Sequence, residues 1–166
     1  MKKEMSSQAK AAKMIRQFMK ANGIAGSVRS DSFAGGDSVS IRVEDLNPIQ
    51  YKVLKDYAND FQYGSFNGMI DLYEYDNRND SIPQVKFVSI NNKMSDGVAQ
   101  SIYDFIKGYY AGMENAPESF ADASSFYNQN FGAYASNLVY RLFSGGYNSN
   151  QYYESIGVIA VEQEAA

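Results

Sequence analysis

The stretch Ser27–Ile41, SVRSDSFAGGDSVSI, decides the fold. It reads as two short strands folded on a Gly35-Gly36 turn, with serine at five positions. Val39, Ile41 and Val43 alternate with Ser38, Ser40 and Arg42, the period of two expected of a strand with one buried face. In the first strand Val28, Ser30 and Ser32 share one face, and Ser27, Arg29, Asp31 and Phe33 share the other. The glycine pair permits the positive φ angles of a tight connection. Gly-Gly also invites a phosphate-cradle reading, but the lysine and the following helix N-terminus of such a loop are missing.

Upstream, Ser6 or Ser7 caps a helix running to about Ala21. Ala11, Ala12, Ile15, Phe18 and Met19 recur at three- and four-residue spacing on its apolar face, and Asn22-Gly23 stops it. Downstream, Asn47-Pro48 opens a second helix, with Ile49, Val53, Tyr57 and Phe61 as its expected stripe. Met69–Tyr75 reads as a third strand, DNRND at 76–80 as a turn, and Gln84–Ile90 as a fourth strand. Ser95 caps a third helix with Val98, Ile102, Phe105, Ile106 and Tyr109 on one side. From Pro117, the residues Phe120, Ser124, Tyr127, Phe131, Tyr134, Leu138 and Leu142 step by three and four. This predicts one long amphipathic helix, or two hinged near Gly132, ended by Gly145-Gly146. A polar loop at 148–151 and a fifth strand within Ser155–Val161 complete the reading.

The fold class is therefore α+β: an α-β-β-α-β-β-α core over residues 1–112, with an antiparallel-type sheet covered by helices. A helical extension over 113–166 packs on that core as part of a single domain.

Composition removes several chemistries. The chain has 166 residues, no cysteine and no histidine. Disulfides, thiol nucleophiles and Cys-based metal sites are excluded, as are Ser-His-Asp and Cys-His catalysis. No apolar run approaches the ~20 residues of a membrane span, and the lysine-bearing N-terminus has no apolar core of a signal peptide. These features point to a soluble protein of the cytoplasm with no cofactor. The net charge of −4 is uneven. Residues 1–30 carry seven basic groups and one acidic group, residues 31–82 four and ten, and residues 83–166 four and eight. A basic first helix thus sits beside an acidic body, which suits a phosphate-facing or acid-facing helix as well as a plain solvated one.

The hairpin Ser-Val-Arg-Ser-x-Ser-Phe-x-Gly-Gly-x-Ser at Ser27–Ser38 has a companion one helix later. That companion is Phe66-x-Gly68-Met69-Ile70-Asp71 followed by Tyr73-Glu74-Tyr75. Together they resemble a family of large polyvalent protein-associated domains, the twenty-ninth in the usual numbering, over residues 8 to 92. Such domains occur in proteins of phages and conjugative elements. The resemblance implies an accessory protein that enters with invading DNA and acts on the host, including against its defences. It brings no catalytic residues with it.

Three groups of residues are candidates for a site. Arg29, Phe33, Ser38, Ser40 and Arg42 fall on one strand face, with Tyr73 and Tyr75 as an extension. Guanidinium groups beside rings suit stacking on unpaired bases, and serine hydroxyls suit phosphate or backbone. Tyr127, Phe131, Tyr134, Tyr147 and Tyr152 form a ring-rich C-terminal group, either core or an interface for a partner or for self-association. Asp71, Glu74, Asp76, Asn77 and Asp80 form a carboxylate cluster, but Arg78 interrupts any calcium-loop spacing, and a solvated turn is the simpler reading. The expectation is a binding protein without catalysis. Its partner is a host protein or a protein–nucleic acid complex, with unpaired nucleic acid as the alternative ligand, no membrane, and room for a homo-oligomer.

Overall fold

In a computed structural model, the residues described are 4–113, 115–123, 127–128, 133–146 and 148–158. The chain forms two compact units, Met1–Glu44 with Gln50–Lys93, and Asp45–Ile49 with Met94–Ala166. The third helix thus groups with the C-terminal elements, and the division follows Lys93 rather than the break at 112–117. The class is α+β, with small sheets.

In the first unit, α1 (Ser7–Ala21) buries Ala11, Ala12, Ile15 and Met19, four of the five residues of the expected stripe. Phe18 stacks on Tyr57, with centroids 3.8 Å apart. The helix ends as Asn22-Gly23 predicts. Gly23 has φ +66°, and the Ile24 N–H donates to Met19 O at 2.9 Å, which satisfies a carbonyl that the helix end leaves open.

Strands β1 (Gly26–Phe33) and β2 (Gly36–Glu44) pair antiparallel, with Arg29 opposite Ser40 and Val28 opposite Ile41. The next helix, α2 (Pro48–Asn59), starts at the expected Pro48. Its buried side is Leu54 and Ala58, leading to buried Phe61, while Val53 is exposed. The stripe is thus rotated by about one residue.

The third expected strand is a finger of two. These are β3 (Ser65–Asn67) and β4 (Leu72–Glu74), antiparallel, with Phe66 opposite Tyr73. Met69 and Ile70 lie in the turn rather than in a strand. Asn67-Gly68 is a turn signal in its own right. The Asn67 side-chain oxygen accepts from the Met69 N–H at 3.1 Å, and Asp71 takes the left-handed conformation at φ 52°.

The fourth expected strand lies three residues later, as β5 (Phe87–Lys93), and runs parallel to β2. The sheet is therefore mixed, in the order β1-β2-β5, not uniformly antiparallel. A parallel neighbour requires a long crossover, and the α2 and finger segment between Glu44 and Phe87 supplies it. Val85 joins Phe61 and Tyr63 by backbone hydrogen bonds just before β5 begins.

One sheet face is the core. Val28, Val39, Ile41 and Val43 are buried on it, each worth about 1.5–3 kcal/mol when fully buried. Helix α1 covers this face: a methyl group at Gly26 would meet the Met19 terminal carbon at 2.9 Å and Arg42 O at 2.4 Å.

The second unit has its own core. In α3 (Asp96–Tyr109) Ser95 Oγ accepts from the Val98 N–H, as its cap position predicts, and Ala99, Ile102, Tyr103 and Ile106 are buried. They pack with Met113, Leu138, Val139, Leu142, Phe143 and Tyr153. The long C-terminal helix is not formed. Instead α4 (Phe120–Ala123), strands β6 (Tyr127–Asn128) and β7 (Ala133–Tyr134), paired antiparallel, and α5 (Ala135–Phe143) follow one another. Ser124, Ser125, Asn128, Asn130 and Gly132 are poor helix formers clustered in one stretch, and they outweigh the three-four periodicity. Gly145-Gly146 does end α5, through the Gly146 N–H to Arg141 O at 2.8 Å. The expected polar loop at 148–151 is the start of α6 (Ser149–Ser155). The expected fifth strand overlaps its end at Ser155, and the segment from Ile159 onward lies outside the described residues.

Candidate functional site

The second face of the three-stranded sheet carries Ser27, Arg29, Asp31 and Phe33 from β1. Opposite them stand Ser38, Ser40 and Arg42 from β2, then Phe87, Ser89, Asn91 and Lys93 from β5. Pairing register alone sets this grouping, because side chains of paired residues share a face. Arg29, Phe33 and Arg42 are exposed, and Ser38 and Ser40 are half-buried. The five residues singled out on the hairpin thus lie together. Ser89 Oγ donates to Ser40 Oγ at 3.3 Å across the strands. Among the described residues, Arg29, Arg42 and Lys93 are in no salt bridge. At one end of the face, Ser27, Arg42, Glu44, Asn91 and Lys93 border a shallow depression of about 650 Å³, with Glu44 paired in register with Lys93.

The other end is aromatic. Phe33 stacks on Phe87 at 6.2 Å between centroids, and Tyr73 meets Phe87 edge-on at 6.0 Å. Tyr75 and Tyr63 extend the row: Tyr73 to Tyr75 is 5.5 Å and Tyr63 to Tyr75 is 5.6 Å. Tyr73 and Tyr75 therefore do continue the face. The Tyr73 hydroxyl donates to Lys86 O at 2.7 Å. Burial, followed by the nearby Tyr63 and Asp76, pushes the Tyr73 phenol up to about 12. Burial likewise raises Tyr63, so both phenols are neutral donors at physiological pH.

Lys86 ties the row to the hairpin. Its ammonium donates to Gly35 O at 2.9 Å and lies 5.3 Å from the Tyr73 ring centre and 5.4 Å from that of Phe87. Its backbone N–H donates to Asp37 Oδ1 at 2.9 Å. Gly36, at φ 149°, has no space for a side chain because the Lys86 stem lies 2.8 Å from where a Cβ would be. The Gly-Gly turn is thus packed by a lysine of this chain and leaves no cradle for phosphate.

Helix α1 and the Arg29/Arg42 face lie on opposite sides of the sheet. A ligand lying flat on that face does not reach the basic helix, where Arg16 already donates to Val28 O at 2.7 Å and Lys10 to Glu4 at 2.8 Å. Lys93 is the cation that extends the face. Phe87, Lys86, Tyr63 and Lys93 are the members that sequence reading missed. Only strand parity in β5, once its pairing is known, picks out Phe87 and Lys93.

Of the C-terminal group, Tyr152 is the member whose side chain is described. Tyr152 is 3% exposed, makes ring contacts with Phe105 and Tyr153, and donates to Ser101 Oγ at 3.2 Å. It is core, because α6 turns it inward. Tyr127 and Tyr134 are paired in register across β6 and β7. Phe131 and Tyr147 lie outside the described residues. In the carboxylate cluster, Asp76 accepts from Ser65 Oγ and Asp80 from Arg78. Among the described residues, no group of three or more acids is placed to hold a metal ion. No described helix is long and apolar enough to cross a membrane.

No protein-family model, curated protein or solved structure matches the chain.

Proposed function

We propose that the chain is a non-enzymatic accessory protein of a phage or mobile element. It binds a host protein of a defence or DNA-processing system, in the cytoplasm, through the outer face of its three-stranded sheet. One observation carries the reading. A sheet face left uncovered by helices holds two arginines and joins a row of five aromatic rings, the residue types that dominate binding energy at interfaces. The likeness of residues 8–92 to domains of phage and conjugative-element proteins supports the setting. Immobilised chain exposed to bacterial lysate tests it. A host protein is expected at near-stoichiometric level, and recovery of none counts against the reading.

A second reading, an unpaired nucleic acid on the same face, is favoured by Arg29 and Arg42 sharing that face with exposed Phe33. Fluorescence anisotropy with labelled oligodeoxythymidine separates the two. If nucleic acid binds, Arg29→Ala with Arg42→Ala flattens the dependence of log K on log salt by about 1.4, at ~0.7 per phosphate contact on single strands. No binding at tens of micromolar in low salt removes this reading.

A further inference from the structure

The finger presents the most exposed apolar surface of the first unit. Met69 is 96% exposed, and Phe66, Ile70 and Leu72 are each more than half exposed. Scattered apolar residues on a surface are ordinary, but four within seven positions on one two-stranded finger mark a contact. The tip is also acidic. From Ser65 to Glu74 the finger has Asp71 and Glu74 and no lysine or arginine. Such a tip repels phosphate and anionic bilayers. Its counterpart is a surface that carries both apolar rings and an excess of cations.

This chain carries that counterpart. The outer sheet face has Arg29, Arg42 and Lys93, in no salt bridge among the described residues, against two carboxylates, Asp31 and Glu44, and it carries exposed Phe33 and Phe87 at its other end. Tip and face belong to one compact unit and are tied together by the Tyr73 hydroxyl on Lys86 O. Each copy therefore presents both in a set relation. We propose that the occupant of the face is the finger of a second copy, and that the contact is reciprocal, giving a two-fold dimer. A two-fold arrangement uses the complementary pair twice and closes, leaving no tip in solvent. The proposal does not rest on the host-protein reading. If both hold, self-association covers Arg29 and Arg42 and competes with the host partner.

Sedimentation velocity of the full chain, alone, over a concentration series tests it. At low salt the mass should double from 18.5 kDa, and high salt should move the transition at least tenfold up in concentration. Arg29→Glu with Arg42→Glu puts acid against acid and should leave a monomer. Asp71→Arg puts base against base and should do the same. An equimolar mixture of these two chains should form a heterodimer, since each altered surface meets a complementary one and the unaltered pair also meets. Met69→Ser with Ile70→Ser, which changes no charge, should also be monomeric, and far-UV circular dichroism verifies each fold. A wild-type chain that stays monomeric at low salt overturns the proposal. So does a dimer that persists in all three variants, or a mixture that fails to associate.

Discussion

Gly64→Ala probes how the aromatic row is positioned. Gly64 is buried beside β4. A Cβ built there would lie 2.1 Å from Glu74 O and 2.7 Å from a Tyr73 ring carbon. Ordinary contact is about 3.5–4.0 Å, so β4 must withdraw by roughly an ångström or more. The obstacle is backbone, not the end of a flexible side chain. Overpacking of this kind costs about 1–3 kcal/mol. Moving β4 also moves Tyr73 away from Phe87 and weakens its hydroxyl contact with Lys86 O. Gly68→Ala is the control. Its nearest neighbour would be Phe66 at 3.9 Å, so the change should be neutral, or stabilising by up to about 1 kcal/mol through the unfolded chain. Urea unfolding followed by tyrosine fluorescence reads both, since the chain has 14 tyrosines and no tryptophan. If Gly64→Ala unfolds at the wild-type midpoint with an unchanged slope, the positioning argument is wrong.

Tyr152→Ala should cost about 3–5 kcal/mol, the range for deleting a buried aromatic; a surface tyrosine would cost far less, so thermal unfolding distinguishes core from interface. The Tyr73 phenol should ionise near pH 12 rather than at its ordinary 10, seen as a late step in a tyrosinate absorbance titration that Tyr73→Phe removes. Its folded value is raised, so the folded state holds the proton more tightly. The stability it contributes is complete below pH 10 and is lost as pH rises to about 12.

Much of the site was legible because strand geometry is local. Alternation at Val39, Ile41 and Val43 fixed which side of β2 is buried, and antiparallel pairing through a short turn carried that parity to Arg29 and Phe33. Helix α1 was legible for the same reason, through its three-four spacing and its Asn22-Gly23 stop. The pairing of β2 with β5 was not, since a parallel neighbour is set by a distant crossover and leaves no local mark. Phe87 and Lys93 were therefore missed as members of the face. The finger had a signal, Asn67-Gly68, but it stood next to the apolar run Met69-Ile70 and was read as the lead-in to a strand. In the C-terminal part, periodicity at Phe120 to Leu142 suggested a helix that the intervening serines, asparagines and glycine do not sustain. Tyr152 looked like an interface residue because ring-rich sequence marks cores and interfaces alike.

A partner that binds the outer sheet face must meet Arg29 and Arg42. The most direct test is lysate capture with the wild-type chain beside the Arg29→Glu, Arg42→Glu chain, both shown to be folded. Both arginines are exposed, so stability should change little. A host protein held near stoichiometrically by the wild type should be lost by the variant. Retention of the same protein by both chains at equal level would contradict binding at this face.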